Sequence, residues 1–355
     1  MIKFETVDKI RPGEVLARDI YGVDTYTGRV VMLRAGQTLT VAHLSRIMGL
    51  DLPGLYVYKK VETPEIVAPK TKEGMVEIID NIYATSNFNA TGIYAGKLDD
   101  ANKILSEAID NICSRRDLSI DIDSLNLHDD ISYNHTLNVT VLSVAIGQEL
   151  GLRDNALLSV AAASILHDIG DSQIPEELKN KPAKLTAEEF EIIKRHPKLG
   201  YEIISDVDYL SSKTKEGVLY HHERFDGTGY PEGLVGRKIP LIARIIAVAD
   251  VYSALTATRP YRSAFNPAEA VEYIMGNAGR QFDNKIVEAF LHVISPYPIG
   301  SCVKLSNGEK AIISAQNPEN PLRPVVFLME DPTTIIDLYN DKAFYNIVIT
   351  EIINN

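Results

Sequence analysis

The chain has 355 residues, of which 45% are hydrophobic, and a formal net charge of −12 at pH 7. This length and composition allow a sizeable buried core in two or three domains. The acidic balance disfavours a general binder of DNA or RNA polymers, because such proteins present a dense surface of Lys and Arg. The sequence contains neither a run of about 18 apolar residues nor a signal peptide at its start. We therefore expect a cytoplasmic protein that does not contact the membrane.

The first sixty residues favour a small domain of mixed structure. Short apolar runs at residues 30–33 and 55–58 indicate strands, and residues 40–50 between them have helical spacing. Pro64 and Pro69 then occur among polar residues, which is typical of an extended connector. We predict an N-terminal α+β domain over residues 1–62 and a linker over residues 63–72.

From residue 73 to residue 296 the apolar residues recur at intervals of three and four, which predicts helices. One helix start is visible as a capping box at Thr186, with Glu189 three residues later. After Pro296 and Pro298, apolar runs alternate with turn residues and predict a β module over residues 297–355. The expected fold class is mainly α, an all-helical core flanked by a small N-terminal α+β domain and a small C-terminal β module.

The helical region contains a dispersed series of five histidines and two aspartates. Its members are His135, His167, Asp168, His196, His221, His222 and Asp250. Seven nitrogen and oxygen ligands exceed the needs of one tetrahedral metal centre, whereas two metal ions that share a bridging carboxylate would use all of them. The series therefore predicts a binuclear metal-dependent hydrolase.

The two aspartates make the strongest individual cases. Asp250 lies in the apolar run of residues 241–251, where a buried carboxylate needs a partner, and the alternative to a metal is a salt bridge to Arg244. Asp168 follows His167 directly after another apolar run, residues 161–166. The alternative there is an ordinary polar helix end with Gly170 as its cap.

The remaining candidates are weaker when each is taken alone. His221 and His222 precede a glycine-rich loop, and consecutive helical residues point about 100° apart, so the two could serve different ions or be surface histidines before a turn. His135 and His196 lie on amphipathic helices, where a lone histidine is more often structural than a ligand. A basic segment that contains Arg259 and Arg262, with Lys181 and Lys184 elsewhere, could meet phosphate or be solvated.

In chain order, these segments resemble those of the HD-GYP family, a branch of the HD phosphohydrolase superfamily, over residues 120–295. The matching segments are Tyr133-Asn134-His135, Leu166-His167-Asp168-Ile169-Gly170, residues 181–186, His196-Pro197, residues 221–231 with Gly229-Tyr230-Pro231, and residues 250–262. So many spaced segments make the resemblance specific.

The resemblance implies an all-helical metal-dependent phosphodiesterase that hydrolyses cyclic di-GMP to linear pGpG, to GMP or to both. A water activated by the metals would attack phosphorus. By the same resemblance all seven residues of the series ligate iron or manganese, Asp168 is the bridge, and Asp168 and His167 are the catalytic residues. The nucleotide or its phosphates would contact Tyr230, Arg259 and Arg262, with Lys181 as a further candidate.

Two positions depart from the family pattern. Members usually carry a lysine after the His-Asp-x-Gly segment, where this chain has Asp171, whose charge would repel phosphate. Members with three metals carry a glutamate one turn before His135, where this chain has Ile131. We therefore expect two divalent ions, unless Asp129 or Asp130 supplies a ligand for a third.

Three functions remain open from the sequence. The first is a cyclic di-GMP phosphodiesterase, the second is a catalytically weak cyclic di-GMP receptor, and the third is a phosphodiesterase for another cyclic dinucleotide. Complete metal ligands favour an enzyme, whereas Asp171 favours the receptor. The terminal modules and the loop of residues 227–231 are candidate surfaces for a homodimer or a protein partner.

Overall fold

A computed structural model of the protein describes residues 2–24, 28–34, 36–49, 52, 54–58, 66–83, 94–114, 120–121, 131–179, 181, 183–257, 264–329 and 334–353. About half of these residues are helical, and small sheets occupy the terminal segments. The chain divides into one unit formed by Met1–Pro64 with Ser295–Asn355 and a second unit formed by Glu65–Ile294.

The second unit is helical. Its helices are α2 (Pro69–Tyr83), α3 (Tyr94–Cys113), α4 (Ile131–Glu149), α5 (Asn155–Leu166), α6 (Glu176–Lys179), α7 (Ala187–Ile193), α8 (His196–Ile204), α9 (Ser212–Tyr220), α10 (Leu241–Thr256), α11 (Pro267–Gly276) and α12 (Asn284–Val293). No helix of the described residues has the combined length and apolarity needed to cross a membrane.

Local signals mark where several of these helices begin. The capping box predicted at Thr186 is confirmed, because its side chain accepts the Glu189 N–H at 3.2 Å and the Glu189 carboxylate accepts the Thr186 N–H at 2.8 Å. Helix α2 begins at Pro69, inside the predicted linker of residues 63–72. Proline is well suited to the first turn of a helix because that turn does not use its N–H, so Pro69 starts a helix and does not extend the connector.

Helices α4, α5 and α10 pack against one another in the core of the second unit. Residues 136–147 of α4 are buried on every face, and α10 is buried along nearly its whole length. The ligand candidates lie near the start of α4, just after α5, at the start of α8, just after α9 and within α10. This packing therefore gathers residues that are far apart in the sequence.

The first unit combines both terminal segments. The N-terminal segment contains helix α1 (Val41–Met48), an antiparallel sheet in the order β1 (Ile2–Glu5), β5 (Leu55–Tyr58), β2 (Val15–Leu16), and a hairpin of β3 (Ile20–Asp24) and β4 (Gly28–Leu33). The C-terminal segment is an antiparallel sheet in the order β10 (Ile349–Ile352), β6 (Cys302–Leu305), β7 (Lys310–Ala315), β8 (Val325–Leu328), β9 (Ile335–Asp337). Val15, Ala17 and Tyr58 pack with Cys302, Ile312 and Met329, so the two segments share an apolar cluster.

Candidate metal centre

All seven residues of the histidine and aspartate series converge at one place in the second unit. Their ligand atoms form two groups, and within each group these atoms lie within 4.8 Å of one another. The first ligand group is His135, His167 and Asp250, and the second ligand group is Asp168, His196, His221 and His222. The packing of five helices thus brings together the types of ligand that iron, manganese and zinc prefer.

Three of the histidines are oriented by backbone carbonyls at helix ends. In each, Nδ1 lies within hydrogen-bond distance of the carbonyl oxygen three residues earlier. The pairs are His167 with Ser164 at 2.7 Å, His196 with Ile193 at 2.9 Å and His221 with Val218 at 2.7 Å. The last carbonyls of a helix lack an intrahelical partner and can only accept. Each Nδ1 therefore carries the proton, and each Nε2 presents its lone pair as a ligand.

His135 is oriented by α10. Its Nδ1 lies 2.9 Å from the hydroxyl oxygen of the buried Ser253, and its Nε2 lies 3.3 Å from Oδ1 of Asp250. Ser253 follows Asp250 by three residues and so lies on the same helix face. The sequence interpretation missed Ser253, and this spacing from a ligand is the signal that could have revealed it.

Several atoms with lone pairs face each other at short range. Nε2 of His196 and Nε2 of His221 are 3.3 Å apart, although both rings donate from Nδ1. Nε2 of His167 is buried and has no hydrogen-bond partner in the described part of the chain, yet it lies 3.1 Å from Oδ2 of Asp168. Two nitrogens bound at about 2.1 Å to one metal, at 90° to 110°, are about 3.0 to 3.4 Å apart. The donor set therefore fits metal ions.

The carboxylate of Asp168 faces both ligand groups. Its Oδ2 lies 3.1 Å from Nε2 of His167 and 4.0 Å from Nε2 of His135, which belong to the first ligand group. Its Oδ1 lies 3.4 Å from Nε2 of His196 and 3.7 Å from Nε2 of His221, which belong to the second. This split is the geometry that a bridging carboxylate requires.

A glycine allows helix α8, which carries His196, to lie close to Asp168. Gly170 lies in a short 3-10 turn, and a Cβ there would come within 2.0 Å of the His196 carbonyl oxygen. Any larger residue would push α8 away from this turn. Gly170 is therefore needed for the close approach of His196 to Asp168.

The electrostatics of the site follow from burial and from the paired charges. Burial raises the pKa of Asp168, but His167 and its neighbours outweigh this and hold that pKa well below its usual range. Burial lowers the pKa of His167, but the charge of Asp168 outweighs it and raises that pKa to about 9, so a metal ion at Nε2 would displace the second proton of this ring. Burial also lowers the pKa of His221 and His222 and so keeps both imidazoles neutral, the form that ligates metals.

Asp171 lies at the edge of the second ligand group. Its Oδ1 is 3.7 Å from Nδ1 of His196, which already donates to a carbonyl. Burial, followed by the charge of Asp168, raises the pKa of Asp171 to about 6. The carboxylate thus adds a negative charge at the position where members of the HD-GYP family usually carry a lysine.

The glycine-rich loop places Tyr230 beside the ligands. The Tyr230 ring lies 4.9 Å from the His222 ring at an interplanar angle of 32°, and its backbone N–H donates to the His222 carbonyl at 3.2 Å. A Cβ at Gly229 would come within 2.2 Å of the backbone nitrogen of Arg224, so the close approach of the loop to this backbone requires glycine. The structure thus places Tyr230 beside a candidate ligand, and its contact with substrate stays a prediction.

Glu223 holds this loop in place and was missed by the sequence interpretation. It is 3% exposed, and its two carboxylate oxygens accept the backbone N–H groups of Glu232, Gly233 and Leu234 at 2.7, 3.0 and 3.0 Å. Charge-assisted hydrogen bonds of this kind are the strong ones. The buried carboxylate therefore fixes the path of the chain after Tyr230.

We expect Glu223→Gln to lower the free energy of unfolding by about 2 kcal/mol, because an amide nitrogen would face a backbone N–H and leave buried donors unsatisfied. Urea denaturation measures the loss, and limited proteolysis would show new cleavage within residues 227–236. The matched control is Glu216→Gln, at an exposed position on α9. Equal stability of both variants would show that the carboxylate does not hold the loop.

Other predicted residues are placed differently or lie outside the described part of the chain. Lys181 pairs through Nζ with both carboxylate oxygens of Glu189, at 2.7 and 2.6 Å, so its charge already has a partner. Arg244 pairs with Asp283, so it is not the partner that the alternative interpretation gave Asp250. Arg259, Arg262, Asp129 and Asp130 lie outside the described residues, as does the side chain of Ile131.

The fold and this constellation define a helical unit with a histidine and aspartate cluster that could hold metal ions. The HD domain family profile matches residues 95–286, more than half of the chain, so the chain belongs to the HD domain family. The resemblance that the motifs predicted is thereby confirmed.

Curated relatives are similar to part of this chain. A cyclic di-GMP phosphodiesterase of Pseudomonas aeruginosa is 35% identical over 226 residues, which are 64% of this chain and 54% of that protein. A cyclic di-GMP phosphodiesterase response regulator of Xanthomonas campestris is 44% identical over 147 residues, 41% of this chain and 39% of that protein. A 3′3′-cGAMP-specific phosphodiesterase of Vibrio cholerae is 37% identical over 158 residues, 44% of this chain and 30% of that protein. The match thus spans about half or less of each relative.

Proposed function

We propose that this protein is a metal-dependent phosphodiesterase that hydrolyses cyclic di-GMP to the linear dinucleotide, to GMP or to both. The observation that carries the proposal is the Asp168 carboxylate, whose two oxygens face the two ligand groups. A pair of divalent ions on a bridging carboxylate is a recurrent design for the hydrolysis of phosphate esters. Relatives named for cyclic di-GMP favour that dinucleotide as the substrate.

The seven side chains would hold two ions, iron or manganese, and the residues themselves set the geometry. When bound, the ions would lower the pKa of a water and shield the phosphate oxygens. Asp168 and Asp250 supply negative charge: burial raises the pKa of both carboxyls, but the neighbouring histidines outweigh it and hold both pKa values below the usual range, so both carboxylates stay ionised. Backbone carbonyls and Ser253 orient four of the five imidazoles, which reduces the reorganisation needed when substrate binds.

Tyr230 is suited to donate a hydrogen bond to the substrate. Burial, followed by the charges of Asp250 and Asp168, raises the pKa of its hydroxyl, so Oη stays protonated. A protonated phenol at the edge of the metal centre donates to an anionic phosphate oxygen. We propose that Tyr230 holds the phosphate against the ligand groups, with His222 supporting the Tyr230 ring.

A catalytically weak receptor for cyclic di-GMP is the second candidate, and Asp171 is the observation that favours it. Its carboxylate lies within 4 Å of a ligand histidine, where it would repel the phosphate of the substrate. The cGAMP-specific relative of Vibrio cholerae supports a third candidate, a phosphodiesterase for another cyclic dinucleotide.

One experiment separates the three candidates. Anaerobically purified protein, stripped of metal and then loaded with iron or manganese, is incubated with cyclic di-GMP and separately with 3′3′-cGAMP. Chromatography resolves the products, and calorimetry measures binding. We expect two ions per chain and turnover of cyclic di-GMP by the loaded protein only.

Each other outcome has a distinct meaning. Binding of cyclic di-GMP without turnover by the fully loaded protein would establish the receptor. Faster cleavage of 3′3′-cGAMP would change the substrate but keep the reaction. Equal activity of the stripped and loaded proteins would refute a metal-dependent mechanism, and three ions per chain would refute the two-metal prediction.

A further inference from the structure

Helix α2 forms hydrogen bonds to both chain segments that carry the histidines of the first ligand group. The Tyr83 hydroxyl donates to the Ile165 carbonyl at 2.9 Å, two residues before His167. The Tyr133 hydroxyl donates to Oδ1 of Asp80 at 2.6 Å, two residues before His135. Asp80 and Tyr83 are three residues apart, so they lie on one face of α2.

The contact at Ile165 occurs where helix α5 ends. The last carbonyls of a helix have no intrahelical hydrogen-bond partner. Here two adjacent carbonyls accept hydrogen bonds from two different side chains. Ser164 accepts from the ring of His167, and Ile165 accepts from Tyr83. His167 and Tyr83 therefore both satisfy carbonyls in the last turn of α5, just before Asp168.

Helix α2 is anchored well enough to act as a support. Met75, Ile79 and Ile82 are buried at 0%, 1% and 7% exposure, and α2 packs against α3, α4 and the 3-10 turn that follows Asp168.

We propose that Tyr83 and Asp80 are positioning residues that set the separation of His135 and His167 and so control metal affinity at the first ligand group. The inference rests on the proposed metal centre. Loss of either hydrogen bond would free one histidine-bearing segment relative to the other, while the second ligand group keeps its own supports on α7, α8 and α9. Groups hydrogen-bonded directly to metal ligands typically change metal affinity about 10- to 100-fold, and because Tyr83 and Asp80 act two residues away from the ligands we expect the lower end of that range.

The test is a titration of metal-free protein with Mn²⁺, followed by calorimetry and by electron paramagnetic resonance. Tyr83→Phe removes only the hydroxyl, and Asp80→Asn weakens the acceptor for Tyr133 without changing its shape. In each variant we expect the affinity of one of the two sites to fall about tenfold and that of the other to stay unchanged. The matched control is Tyr273→Phe, which removes a hydroxyl that donates to Gln281 on the surface of the same unit.

The outcomes separate this inference from the metal centre itself. Wild-type protein that binds no Mn²⁺ would refute the metal centre. Wild-type protein with two sites, and both variants with unchanged affinities, would overturn only the positioning role. An equal loss at both sites together with a lower melting temperature would also overturn it, because general destabilisation does not discriminate between sites. Should Tyr83→Phe fail to fold, Asp80→Asn gives the same readout.

Discussion

Asp168→Asn is expected to reduce hydrolysis of cyclic di-GMP by at least about 10³-fold, on the order of 4 kcal/mol of transition-state stabilisation. The carboxylate oxygens face His167 on one side and His196 on the other. An asparagine replaces one of these oxygens with an N–H donor, which cannot ligate a metal, and removes the negative charge between the two groups. Steady-state kinetics measures the loss of turnover. Elemental analysis of the purified variant should show the loss of at least one metal ion per chain.

The control for this substitution is Asp208→Asn, at an exposed position between α8 and α9. It changes the same chemical group without touching either ligand group, and both activity and metal content should match the wild type. An Asp168→Asn protein that keeps two ions and normal turnover would contradict the bridging role. Retained ions with lost turnover would instead place the function of Asp168 in the chemical step alone.

Asp171→Lys is expected to raise turnover of cyclic di-GMP about 10- to 100-fold, which is about 1.4 to 2.8 kcal/mol. The Asp171 carboxylate lies beside His196 and shares the local field of Asp168. Exchange of a negative for a positive charge about 4 Å from a phosphate changes their interaction by several kcal/mol at an effective dielectric near 20. Rates are measured at saturating metal, since an added lysine also repels the ions.

Asp171→Asn separates the two parts of this effect. If repulsion limits the wild type, the asparagine variant should gain part of the increase and the lysine variant the rest. A loss of turnover in both variants would show that the carboxylate contributes to the site, for example by orienting His196. Unchanged rates in both would remove Asp171 as the cause of any slow turnover.

Many candidate site residues could be predicted because they lie in short segments whose neighbouring residues indicate burial. Asp250 stands alone in an apolar helix, and His167 with Asp168 follows another apolar run, so burial of ionisable groups was evident from neighbouring residues. The capping box at Thr186 and the strands of the terminal segments were also predictable, since caps and alternating patterns depend on residues close in the chain. The HD domain family profile matches residues 95–286, the region that carries the histidine and aspartate series.

The helix at Pro69 shows the limit of local signals. A proline among polar residues is compatible with an extended connector and with the first turn of a helix. Only the packing of Met75, Ile79 and Ile82 in the core decides for α2. The apolar cluster that joins the two terminal segments was equally invisible, because its members lie about 250 to 300 positions apart.

The sequence by itself determined which histidines and aspartates are candidate ligands and the helical class of the region that carries them. Only the tertiary structure decided which candidate ligands face each other and that the two oxygens of Asp168 face different histidines. It also placed the hydrogen bonds of Ser253, Glu223 and Tyr83 around the site. It also showed that Arg244 forms its ion pair with Asp283, whereas Asp250 lies beside His135. The physical reason is that side-chain types and periodicity are local properties, whereas a hydrogen bond or a shared ligand position depends on distances that exist only after the helices pack.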